Sequence, residues 1–245
     1  MRLALLACRV LTHELEELLG LAPNEVDVHF LEQGLHERPA RLRAALQAEI
    51  DRLDGAAAEA AARGERPPHD AIALAYGLCG TGTAGLGSVR HRLVLPRAHD
   101  CFTLVLGCRR RFRAAFDERP ATYWCTPGWS DHGALPDEAR LARSQRAYAE
   151  RHGEDAAAYL LELERAALGR YERCAFVAWP GYGHWAQREA ARRTAAERGW
   201  TLDELEGDPA LLQGLLAGTW DERFLVVEPG EVVAVAGDER VVVAA

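Results

Sequence analysis

The chain has 245 residues, 49% of them hydrophobic and 27% charged, with a net charge of -8, which suits one large globular domain or two small lobes. The acidic balance argues against nonspecific nucleic-acid binding, and the longest apolar runs are too short to span a bilayer. All 29 basic residues are arginine, so Schiff-base chemistry and a P-loop lysine are excluded.

The first apolar run, Leu3 to Ala7, reads as a buried strand closed by Cys8. Arg2 is its only charge and no A-x-A-like site follows, so a cytoplasmic protein without a signal peptide is expected. A short helix from about Thr12 to Leu19 carries His13 and Glu16, which face the first loop. Glu25–Leu31 alternates as a strand and leads to His36 and Glu37. Leu42, Leu46, Ile50 and Leu53 mark a helix over about 38–63, broken by Arg66-Pro67-Pro68-His69. Strands at Ala71–Tyr76 and Arg92–Leu95 flank a turn rich in glycine, from Gly77 to Gly87. A helix is predicted from near Asp100, with Cys108 on its apolar side and Arg109-Arg110-Arg111-x-Arg113 in its last part.

The second half continues with a strand at Thr122–Cys125, ended by Thr126-Pro127-Gly128-Trp129. A helical region over 137–169 is broken near Gly153. A strand at Arg173–Trp179 meets the loop Pro180-Gly181-Tyr182-Gly183, followed by helices to about Arg198 and near Pro209–Ala217. Strands at Phe224–Val227, Val232–Ala236 and Val241–Val243 complete the pattern. Alternating strands and helices predict an α/β fold with a mainly parallel sheet and flanking helices. Two Rossmann-like lobes are expected: 1–120, carrying the reactive residues, and 121–245, closely packed on it or continuous with it.

Cys8, Cys79 and the pair His99 and Cys101 each fall just past an apolar strand. In an open parallel sheet these ends share one edge, where ligands bind. Thiols and an imidazole converging there have the composition of a soft-metal site, with zinc ahead of iron. Cys101 also falls in a first helical turn, next to Asp100 as N-cap, where a thiol's pKa is lowered. With Arg97 and His99 nearby it is expected to be the most reactive thiol and a catalytic candidate, with His36 as base or further ligand. Gly80 and Gly82 suggest a backbone cradle for an anion, although no helix follows as a dinucleotide motif requires. Arg97 suits a carboxylate or phosphate, and Trp129 and Tyr182 suit an aromatic wall for a flat or methylammonium ligand. Each feature also has a plain reading: buried core cysteines, a glycine connector, a helix cap and aromatic packing. No C-x-x-C occurs, which weakens a zinc-ribbon or thioredoxin assignment.

Several segments together resemble the domain-of-unknown-function family 1638: Leu35-His36-x-x-Pro39, Tyr76-Gly77-Leu78-Cys79-Gly80, Pro96-Arg97-Ala98-His99-Asp100-Cys101, Thr122 to Trp129, and Glu228-Pro229-Gly230. The resemblance spans nearly the whole chain and departs at Arg9, where the family often has a small residue. It implies a protein found beside corrinoid-dependent methyltransferase systems. His99-x-Cys101 with a distant cysteine is similar to the zinc ligands of cobalamin:coenzyme M methyltransferases. Three readings stay open: a metal-dependent methyl- or one-carbon-transfer enzyme acting on an anionic or methylated small molecule, with a corrinoid in trans; a non-catalytic corrinoid, metal or metabolite carrier partnering a methyltransferase; and a metal-free thiol or redox protein.

Overall fold

The computed structural model describes residues 1–133 and 135–245. The chain forms two units, Met1–Phe112 with Asp208–Ala245, and Arg113–Gly207. In the first unit the apolar runs become β1 (Arg2–Cys8), β2 (Glu25–Leu31), β3 (Ala71–Ala75) and β4 (Arg92–Pro96). They lie parallel in the order β2-β1-β3-β4. β1 and β3 are central and covered on both faces, which is why they read as unbroken apolar runs. β2 is the edge strand; it alternates exposed with half-buried residues at its start and is half-buried from Val28 on. The order reverses between β1 and β3, and in such sheets the crevice beyond the strand ends at that point receives ligands.

The helices of this unit are α1 (Thr12–Leu19), α2 (Pro39–Ala62), α3 (Cys101–Leu106) and the start of α4 (Arg109–Glu118). Pro39 opens α2, a position that needs no amide donor. Its stripe of Leu42, Leu46, Ile50 and Leu53 packs with Ala4, Leu6, Ile72 and Leu74 of the sheet. The helix expected from Asp100 is interrupted at Gly107, which has φ +84° and no room for a Cβ beside Asp208. Cys108 therefore lies between two helices, half-buried, and not on the apolar side of one.

The second unit contains β5 (Thr122–Cys125), α5 (Pro127–Asp131), α6 (Glu138–His152), α7 (Glu154–Leu168), β6 (Arg173–Ala178), α8 (Trp185–Arg198) and β7 (Thr201–Glu206). Its three strands are parallel, in the order β5-β6-β7. α6 and α7 part at Gly153, as the sequence predicts. Neither the short helix α5 nor β7 was expected. β7 is acidic along its length, and arginines hold it: Arg119 to Asp203 at 2.8 Å, and Arg188 to Glu204 at 3.4 Å.

The chain then returns to the first unit. α9 (Ala210–Ala217) packs on β3 and β4 and on α1 and α3. β8 (Phe224–Val227) pairs antiparallel with β4, from Leu93 opposite Val227 to Pro96 opposite Phe224. β9 (Val233–Val235) and β10 (Val242–Ala244) form an antiparallel pair whose Val233 and Val242 join the core under α2. The expected division near residue 120 thus becomes a first unit interrupted by a second. The physical reason is the β4–β8 pairing, which draws the last strands out of the second lobe. Among the described residues no helix is long and apolar enough to cross a membrane.

At the amino edge of β4 a buried staple holds the connector from β3. Asp54 of α2 accepts hydrogen bonds from Ser88 Oγ at 2.7 Å and the Val89 amide at 2.9 Å, and pairs with His91 Nδ1 at 2.7 Å. Burial alone would raise the Asp54 pKa; the hydrogen bonds from Ser88, His91 and Val89 outweigh it and hold the carboxyl below its usual range. A lowered folded-state value contributes stability above the unfolded pKa, and that contribution is lost as pH falls through the folded one. Asp54→Asn is expected to cost about 1–3 kcal/mol near neutral pH and to flatten the acid limb below pH ~4. Urea unfolding across pH measures both.

Candidate functional site

The site grows from the ends of β1, β3 and β4. Ala7 of β1 pairs with Ala75 of β3, so Cys8 comes level with Tyr76. Beyond β3 the backbone docks on the segment that follows β4. The Leu78 amide donates to Ala98 O at 2.8 Å and the Cys79 amide to His99 O at 2.9 Å. A Cβ on Gly77 would stand 2.7 Å from Asp100 N and 2.8 Å from Ala98 O, so only glycine allows the approach. Past this contact Cys79, Gly80 and Thr81 all have positive φ, at +46°, +63° and +78°. The two non-glycine residues cost of order 1–2 kcal/mol each in that region. Backbone strain of this kind collects at functional sites.

Asp100 caps α3 as expected, accepting from the Thr103 amide at 2.9 Å and Thr103 Oγ1 at 3.1 Å. Cys101 is the first residue of α3. The Cys8, Cys79 and Cys101 thiols lie within electrostatic reach of one another, and all three act on Tyr76. Burial pushes the Cys8 and Cys79 thiols up, Cys79 to about 12. Burial also pushes Cys101 far up, reinforced by the Asp100 carboxylate, the other two thiols and Glu14. The helix start is where the sequence put it, but the half-buried Cys101 sits beside carboxyl groups that oppose the helix dipole.

Glu14 of α1 is the residue that sequence reading missed. It is 4% exposed, and burial raises its pKa to about 7. Its Oε2 and the Tyr76 hydroxyl are buried without a hydrogen-bond partner among the described residues. The signal was present: Leu11, Glu14, Leu15 and Leu18 follow the helical spacing of a buried face, whereas Glu16 is exposed and His13 half-buried.

The other candidates are placed as follows. His99 is exposed and meets the loop after β3 through its carbonyl. His36 is exposed on the turn Leu35–Glu37, its carbonyl 3.9 Å from where a Gly80 Cβ would lie. Gly82 packs against Leu42, and the amides of residues 82–87 all donate to protein acceptors, which leaves the anion cradle few donors. Arg97 turns away from the thiols. Its Nε donates to Phe224 O at 3.2 Å, and its Nη1 to Arg240 O at 3.3 Å and to Val242 O. In the second unit Trp129 donates to the Tyr123 hydroxyl at 3.2 Å, beside a Tyr123–Trp200 stack. Tyr182 lies 6.2 Å from Trp179. Cys125 and Cys174 are core residues, their sulfurs 3.3 Å apart. Among the described residues no group of three or more His, Cys, Asp or Glu is arranged so as to hold a metal ion.

Two outcomes follow from the burial of this cluster. Because the Glu14 value is raised on folding, its contribution is present below the unfolded pKa and lost as pH rises toward 7. In chelator-treated protein, stability should fall by up to ~3 kcal/mol between pH ~4.5 and 7, and Glu14→Gln should remove that slope in urea unfolding. Alkylation mapped by mass spectrometry at pH 8 should modify Cys8, Cys79 and Cys101 far more slowly than the same thiols in denaturant.

Searches of curated proteins and of solved structures find no match to this chain. A family model described as "Protein of unknown function (DUF1638)" matches residues 30–216, which takes in α2, the β3 and β4 loops with Cys79 and Cys101, and the whole second unit. The chain belongs to the DUF1638 family.

Proposed function

We propose that Cys8, Cys79 and Cys101 form a mononuclear metal centre, zinc before iron, and that the protein uses it in methyl or one-carbon transfer beside a corrinoid system. The observation that carries the metal is the gathering of three thiols from three separate strand ends around polar atoms that lack partners, Glu14 Oε2 and the Tyr76 hydroxyl. The donor set suits zinc, which takes thiolate, imidazole and carboxylate ligands. Glu14 takes the place that the sequence assigned to His99. The side chains must turn inward to close a ligand shell, since they do not form one as they stand. When bound, zinc would lower the pKa of a coordinated thiol or water and present it as a nucleophile. The chain's own part is to hold Cys79 beside Cys101 through the Gly77 contact and to keep the ligands largely shielded from water. The link to methyl transfer rests on the resemblance described above, to chains found beside corrinoid systems. The metal-free thiol reading is less favoured, because burial raises the pKa of these half-buried thiols and so opposes the thiolate.

Metal analysis of untagged, anaerobically purified protein should find a single zinc ion per chain, lost in Cys79→Ser and Cys101→Ser. Both variants should keep their circular dichroism, because a chain of this size has its own core. Zinc uptake at pH 7 should release more than one proton per ion. A wild type that neither holds nor takes up metal, or variants with full metal, would overturn the centre. Full metal without methyl transfer from methylcobalamin to a thiol would leave a carrier in place of an enzyme.

A further inference from the structure

Arg109, Arg110 and Arg111 form the first turn of α4, where the helix dipole favours anions over cations. No acidic residue shares that turn. Arg111 is answered by Asp208 at 3.4 Å. Arg109 and Arg110 make no hydrogen bond or close ion pair among the described residues. Both line a groove of about 630 Å³ in the first unit, with Arg97, Arg223, Arg240 and Leu211. Five guanidinium groups thus share one concave surface of a chain whose net charge is -8.

Two of the five are already neutralised. Asp221 grips Arg223 through two bonds of 2.9 and 2.8 Å, and Asp238 grips Arg240 through bonds of 3.1 and 2.8 Å. Glu222 and Glu239 also line the groove, both exposed. Arg97 bonds only neutral carbonyls, so its hydrogen bonds fix its position and leave its charge standing. Burial, and then the nearby Arg240 and Arg109, depress its pKa, and Asp238 offsets this only in part. Arg97, Arg109 and Arg110 have no direct carboxylate partner; Asp238 acts on Arg97 and Arg109 only from a distance, and it is already gripped by Arg240. Guanidinium groups bind phosphate oxygens in pairs of parallel hydrogen bonds, and a helix N-terminus adds amide donors for the same group. The space exceeds that of a bare phosphate, and Leu211 and Cys108 offer apolar surface to an organic moiety.

We infer that this groove binds an organic phosphate of about nucleotide size, its phosphates held by Arg97, Arg109 and Arg110. The site requires neither the thiols nor a metal, and Cys79→Ser should bind as the wild type does. Calorimetric titration at 0.15 M salt with ADP and with pyrophosphate is the test, with citrate as the carboxylate control. The wild type is expected to bind both phosphates, and the Arg109→Gln/Arg110→Gln double variant to bind them at least tenfold more weakly. These two side chains tie no other part of the fold, unlike Arg97. Arg146→Gln, an exposed change on α6, controls for overall charge and should bind normally. In the absence of ligand the double variant should melt higher than the wild type, because it relieves repulsion at the α4 start. The inference is overturned if the wild type binds neither phosphate, if citrate binds as tightly as ADP, or if the double variant binds undiminished. An equal loss in Arg146→Gln would also overturn it.

Discussion

Gly77 has no side chain because the backbone of Ala98, His99 and Asp100 fills the space that one would occupy. That contact joins the end of β3 to the end of β4, and the rest of the thiol cluster depends on it. It fixes Cys79 within a hydrogen bond of His99, two residues from Cys101. The two amide bonds across the junction contribute about 1 kcal/mol each. They do not by themselves offset the left-handed backbone at Cys79 and Thr81, which costs of order 1–2 kcal/mol per residue. The balance comes from burial nearby. Tyr76 lies in the α2 core and Leu78 packs against it, and an apolar side chain removed from water contributes about 1.5–3 kcal/mol.

The first unit keeps its charges apart. At the start of α3 are three thiols, a phenol and two carboxyls, with Arg97 turned elsewhere and His13 and His99 the cationic neighbours that act on the carboxyls. At the other end of the same helix, about 9 Å away along its axis, guanidinium groups gather, three of them without a direct carboxylate partner. Arg97 joins the two regions in sequence, two residues before His99, yet its bonds to Phe224, Arg240 and Val242 commit it to the cationic side.

Much of this was legible in the sequence because it rests on short-range signals. Short apolar runs marked β1, β3 and β4, and a reactive residue just beyond each run falls on one edge in any parallel sheet. The capping role of Asp100 and the break at Gly153 are likewise local. What escaped depends on packing between distant segments. Which acid of α1 turns inward is decided by helical phase, and Glu14 shares the phase of Leu11, Leu15 and Leu18. The direction of Arg97 is set by β8 and β10, more than a hundred residues later. β7 was invisible because its carboxylates suit a strand only with Arg119, Arg173 and Arg188 beside it. The break at Gly107 exists because Asp208 approaches it.

The pairing of β4 with β8 also governs how the chain is made. Pro96 and Phe224 are partners separated by roughly 130 residues, with the entire second unit between them. At ribosomal speeds that gap takes on the order of ten seconds to synthesise. Throughout it β4 has one neighbour, β3, and an open edge formed by Leu93, Val94 and Leu95. The inserted unit is under no such delay, because β5, β6 and β7 are consecutive in the chain and lie side by side. The later unit can therefore close first, while the earlier one waits half-built on the nascent chain. Protection of that bare edge during translation, by a chaperone or by the ribosome surface, becomes part of what the sequence requires of its cell.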